Sequence, residues 1–160
     1  MSENGRGIQR FEDLVAWQRA RDLTRLVSWL TQQEPLSHRW RFCEQFQAAA
    51  LSVMNNVAES FARNRRAESS QFLTIAKGSC GEVRSMIYVA LDAGYIDWAT
   101  FEHLLNATDE LARILAGLRA TVDRQRKAER RHPRSPRGQT RPMPTTSKLA
   151  ARSSKLAPRS

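Results

Sequence analysis

Apolar positions recur along this chain in steps of three and four, and the pattern resolves into four helices. Ala16, Ala20, Leu23, Val27 and Leu30 share one face of a first helix, from about Asp13 to Thr31. Glu12 and Asp13 suit its positive N-terminal end, and Gln32 to Pro35 end it. A second helix is predicted from about His38 to Phe61, with Ser37 as its N-cap and Phe42, Phe46, Ala49, Val53, Val57 and Phe61 as its stripe. A third follows Asn64 and runs to about Ala93, with Phe72, Ala76, Ser79, Val83, Met86 and Ala90 in phase and Gly94 as its stop. The fourth has the clearest start. Asp97 is placed to cap it, with Ile96 and Phe101 as a hydrophobic staple. Its stripe is Phe101, Leu104, Thr108, Leu111, Leu115, Leu118 and Val122, fading near Arg126.

Punctuation agrees with this reading. Pro35 is the only proline between Phe11 and Arg131, and glycines there are confined to 78, 81, 94 and 117. No strand-like alternation competes. Four amphipathic helices on short links bury their stripes against one another, so an all-α, up-down-up-down four-helix bundle with a left-handed crossing of ~20° is expected. Trp17, Leu26 and Trp29, and Ile75, Ile87 and Leu91, lie partly off the main faces. Either the stripes are wide or a second face meets another subunit.

Charge divides the chain. Residues 124–160 hold twelve of the 26 Lys and Arg against Glu129 alone, a net +11, whereas residues 1–123 sum to −1. The pI of 10.9 is therefore first a property of the C-terminal quarter. Residues 132–160 contain five prolines, many Ser and Thr, and a Ser-Lys-Leu-Ala repeat at 147–150 and 154–157. Such a composition buries too little apolar surface to offset ordering entropy. The expected organisation is a disordered N-terminus over 1–10, a bundle over 11–126 and a disordered basic tail over 127–160. Neither a signal h-region nor a membrane-spanning run is seen, so a soluble cytoplasmic protein is expected, with no membrane contact. Cys43 and Cys80 fall among apolar neighbours and read as buried thiols. His38, His103 and His132 have no partner at ligand spacing, so neither metal nor cofactor is expected.

Few residues suggest chemistry. Gly78-Ser79-Cys80-Gly81 matches neither a nucleophile elbow nor a phosphate loop, and no strand precedes it. Each glycine costs ~1 kcal/mol of helix propensity, so close helix approach is expected there. Asn56 with Glu59, and Ser79 with Glu82, are spaced to form a polar layer between helices two and three. Glu59 and Glu82 as an acid/base pair is the competing reading, but no nucleophile or histidine joins them. Arg63, Arg65 and Arg66 crowd the link between those helices, where cations oppose the dipole of helix three. Bound phosphate or acidic side chains would relieve that conflict. Arg21 and Arg25 form a second basic pair, and Arg126, Lys127, Arg130 and Arg131 open the tail. Trp40, between Arg39 and Arg41, reads either as a base-stacking platform or as an interface anchor.

An ordered set of segments now adds to this. Phe11 to Gln18, Ser52 to Glu59, Phe72-Leu73 with Ile75 to Ser79, Glu82, and Gly94 to Ile96 together resemble the ribosomal S23-like four-helix bundle proteins encoded in rRNA intervening sequences. The accessory variability proteins of diversity-generating retroelements are more distantly similar. The resemblance covers roughly residues 11–120. It implies a homopentamer of bundles, no enzymatic activity, and partners that are RNA or DNA or, in the retroelement branch, a reverse transcriptase. Carried over by position, Asn56, Glu59, Ser79 and Glu82 are its polar motif, with structural roles. Ser60 and Ala62 stand where glycines are common, Ser69 replaces an apolar residue, and the long basic tail is not standard.

The leading expectation is a non-catalytic oligomeric bundle that associates with RNA or DNA through the tail and surface arginines. If half of the tail cations meet phosphates, log K should fall with log salt at a slope of roughly −4 on single strands. The alternative is a protein-interaction scaffold, such as a reverse-transcriptase accessory subunit.

Overall fold

The computed structural model describes residues 8–131, which form α1 (Val15–Leu30), α2 (Trp40–Ala62), α3 (Arg66–Asp92) and α4 (Trp98–Arg131). Single 3-10 turns over Phe11–Asp13 and Leu36–His38 lead into α1 and α2. No strand occurs among the described residues. Each helix packs on its neighbours in sequence, and α1 closes the ring against α4. The contacts between Ser52 and Ser79, Arg84 and Asp109, and Arg66 and Glu129 are antiparallel registers, so the up-down-up-down bundle is as expected. The disorder expected for 1–7 and 132–160 lies outside the described residues. Residues 127–131, read as tail from their composition, continue α4.

The core follows the predicted phase on α1, where Ala16, Ala20, Leu23, Val27 and Leu30 are all buried. It also does so on α4, except that Leu118 is only half-buried. On α2 and α3 four of the six predicted positions of each stripe are buried, and the other two give way to an adjacent residue. The buried line of α2 is Cys43, Phe46, Ala50, Val53, Val57 and Ser60, with Ala49 beside it, while Phe42 is half-buried and Phe61 is exposed. On α3 it is Ser69, Leu73, Ala76, Cys80, Val83, Ile87 and Ala90, with Ser79 beside it. Phe72 and Met86 flank it, and Ile87, expected off the main face, is fully buried. The reason is steric. Each helix has two neighbours, so the centre of its buried face points between them, where α2 and α3 approach closely on Ser, Cys and Ala. Phe42, Phe61 and Phe72 then fall at the flanks, while Phe46 is fully buried. Each fully buried Leu, Ile or Phe contributes roughly 1.5–3 kcal/mol.

Two helix starts differ from the sequence reading. Ser37 does not cap α2; it lies in the 3-10 turn, and Arg39 stands at the cap with no side-chain bond. Asn64 does not cap α3 either, since Arg65 holds that position in extended conformation. The α3–α4 corner is as expected and self-contained. Gly94 has φ +68, a left-handed conformation that side chains disfavour. Its N–H donates to Leu91 O at 2.9 Å and the Tyr95 N–H to Ala90 O at 2.8 Å, closing a Schellman motif. Asp97 Oδ1 then accepts the Thr100 N–H at 2.8 Å, and Ile96 and Phe101 are both buried as the staple.

Candidate nucleic-acid interface

The arginine-rich link forms because α2 ends where Arg63 turns to extended conformation, and Arg65 stays extended before α3 begins. The Ser69 hydroxyl, buried, donates to the Arg63 carbonyl at 3.5 Å and the Ser69 N–H to the Arg65 carbonyl at 3.1 Å. A serine at position 69 thus closes the link that an apolar residue would leave unsatisfied.

The antiparallel register of α4 brings its C-terminal end to the same pole. Arg66 Nε donates to Glu129 Oε1 at 3.4 Å. Arg126, Lys127, Arg130 and Arg131 therefore share this end of the bundle with Arg63, Arg65 and Arg66. Arg130 and Arg131 occupy the last turn of α4, where cations are favoured by the helix dipole. The link itself is nearly neutralised. Arg63 pairs with Glu59 and lies over the Phe72 ring at 4.9 Å, Arg66 meets Glu129, and Arg65 Nε is 4.0 Å from Glu68. Acidic side chains relieve the dipole conflict that the sequence raised. These pairs are solvent-exposed and add little stability. The positive excess comes from the end of α4, whose Arg126, Lys127, Arg130 and Arg131 make no ion pair among the described residues.

Arg21 and Arg25 do not join this pole. The Arg21 guanidinium sits 5.8 Å from the Trp17 ring. Arg25 borders a groove of about 810 Å³ between α1 and α4, beside Trp29, His103 and the Arg19–Glu110 ion pair at 3.1 Å.

The polar motif separates into three parts. Ser79 is buried, and its hydroxyl meets the Ser52 hydroxyl across the α2–α3 seam at 2.9 Å. Asn56 Nδ2 donates within α2 to the Ser52 carbonyl at 2.8 Å and to its hydroxyl at 3.1 Å. Glu59 turns to Arg63, and Glu82 is exposed on the rim of a shallow α2–α3 groove with Ser52, Ser85 and Met86. The Ser52–Ser79 register sets Glu82 opposite Ala49, ten residues along α2 from Glu59, or roughly 15 Å. The two carboxylates do not share a centre. Ser52 was missed from sequence, although its spacing of four from Asn56 was the available signal.

Gly78 and Gly81 do not mark close helix approach. A Cβ at either position would meet nothing within 4 Å, because both face outward. Both cysteines are buried and free. Burial pushes the Cys80 thiol up to about 11 and raises that of Cys43. Among the described residues no cluster of His, Cys, Asp and Glu is placed to hold a metal, and no helix is long and apolar enough to cross a membrane.

The family model of the 23S rRNA-intervening sequence protein matches residues 12–117. The chain belongs to that family. Among solved structures, it is similar to a protein of unknown function from the S23 ribosomal protein family of Bacteroides thetaiotaomicron. The TM-score is 0.62 at 18% identity, covering 66% of this chain and 96% of the other, which establishes a shared fold. No curated protein matches the chain. The family match takes in the whole α2–α3 link and the polar motif. It stops before Arg126, so the cations that give the pole its excess lie beyond the matched stretch.

Proposed function

We propose that this intervening-sequence protein is a non-catalytic bundle that associates with RNA or DNA through the pole where the α2–α3 link meets the end of α4. The supporting observation is the Arg66–Glu129 contact, which gathers two separate basic segments into one surface. That surface leads directly into residues 132–160, with their further cations. Cations on an exposed surface suit the phosphate backbone, whose binding rests on counterion release and carries no sequence information.

The test is fluorescence anisotropy with a 20-nucleotide single-stranded RNA across a salt series. Replacing Arg126, Lys127, Arg130 and Arg131 by Gln should weaken binding and make the log K against log salt slope shallower by up to about 3. Unchanged affinity and slope would reject the pole.

A second reading is favoured by Trp29, Trp40 and Trp98, which are 57%, 64% and 61% exposed. Large apolar rings at the surface suit a protein contact, whether with further copies in a homopentamer or with a reverse transcriptase. Sedimentation of the purified protein, and recovery of a stoichiometric protein partner in place of RNA, would support this reading.

A further inference from the structure

We propose that the opposite pole of the bundle holds a single-strand site in which Trp40 stacks an unpaired base while Arg39 and Arg41 take the flanking phosphates. This rests on the nucleic-acid reading above and adds a second, chemically distinct contact to it. At this pole the α1–α2 link and the start of α2 meet the α3–α4 corner. A cleft of about 290 Å³ opens there, lined by His38, Arg39, Trp40, Arg41, Phe42 and Tyr95. That volume sits at the lower bound of the roughly 300–1,000 Å³ of small-ligand sites, so it suits one flat ring and not a protein element.

The lining is cationic and aromatic together. The Arg41 guanidinium lies 5.1 Å from the Trp40 ring centre, and that of Arg39 5.4 Å from Tyr95. Guanidinium planes over rings leave their edge N–H groups for phosphate, and the exposed indole offers a face that any base can stack on. Four carboxylates border this end, Asp92 and Asp97 among them on the α3–α4 corner beside Tyr95. Glu34 meets His38 Nδ1 at 2.8 Å, and Glu44 borders the shallow surface on the other side of Trp40. None of the four lines the cleft. Trp40, at the first position of α2 and 64% exposed, contributes little to the core. A paired base in a duplex cannot reach the ring, so the site selects single strands.

The experiment uses the full chain with two probes, fluorescein-labelled oligo(U) of eight nucleotides and a blunt RNA duplex. Trp40→Ala should weaken oligo(U) binding roughly tenfold, with its salt slope and the duplex affinity unchanged. Trp40→Phe, which keeps a flat ring, should retain most of the affinity. The Arg39→Ala, Arg41→Ala double variant should weaken oligo(U) and make the slope shallower by roughly one unit. If the native protein binds oligo(U) and Trp40→Ala binds it equally well, this site is overturned and the cationic pole stands alone. If the native protein binds neither probe at low salt, the broader reading falls and takes this one with it. A Trp40→Ala protein that sediments as a smaller species with oligo(U) affinity intact would make the face a contact between copies, and would also overturn the proposal.

Discussion

At the scale of single residues, the outward glycines of α3 are unexplained by packing within the chain. Each lowers helix propensity without gaining a contact. Gly78→Ala should therefore stabilise the isolated bundle by about 0.5–1 kcal/mol in urea unfolding. A loss would show that the bare backbone at Gly78 is used by a contact outside the chain. Asp97 carries a different test. Hydrogen bonds from the Thr100 hydroxyl and backbone hold its carboxyl below the ordinary 3.8. A lowered folded-state value contributes stability that is present above the unfolded value and lost as pH falls through the folded one. Asp97→Asn keeps an oxygen for the Thr100 N–H but removes this part of the acid-side slope, whereas Asp97→Ala should lower Tm by a few degrees at neutral pH. Thermal melts between pH 2 and 7 would separate them. The cap was legible because Asp, a staple and an apolar run coincide there. The starts of α2 and α3 were not, because Ser37 and Asn64 are good capping residues whose side chains the chain path leaves unused.

Among the elements, legibility depended on whether one residue type fills the centre of a buried face. Leu and Val step along the centre of α1 and much of α4, so spacing alone located those faces. On α2 and α3 the buried face mixes Ser, Cys and Ala with Phe46, Leu73, Ile87 and valines. Phe61, Phe72 and Met86 stand one position from the buried Ser60, Leu73 and Ile87. The burial of Leu73 in place of Phe72 predicts a reversal of the usual size ranking. Leu73→Ala should cost ~2–5 kcal/mol, and Phe72→Ala less, despite the larger side chain removed. Urea unfolding of the two variants checks this. Of the polar layer expected from Asn56, Glu59, Ser79 and Glu82, only Ser79 bonds across the α2–α3 seam. Which hydroxyls and carboxylates meet depends on register, and among the described residues Ser52 is the side chain that meets Ser79 there.

For the molecule as a whole, the two ends of the bundle differ in kind. One collects Arg63, Arg65, Arg66 and the cations of α4. The other collects Trp29, Trp40 and Trp98. Each residue was visible in the sequence, but the gathering was not, because it depends on where the helices stop relative to one another. The continuation of α4 to Arg131 makes the first four cations beyond Gln125 part of a rigid rod. The α3–α4 corner has a consequence for how the chain assembles. Gly94, Asp97, Ile96 and Phe101 satisfy both helix ends within a few residues, so this hairpin needs almost no loop closure to begin. It is therefore the expected nucleus for folding of the bundle. Gly94→Ala, strained at φ +68, should slow refolding in stopped-flow mixing and leave the unfolding limb of the chevron nearly unmoved. A change confined to the unfolding limb would place the corner late, and make some other helix pair the seed.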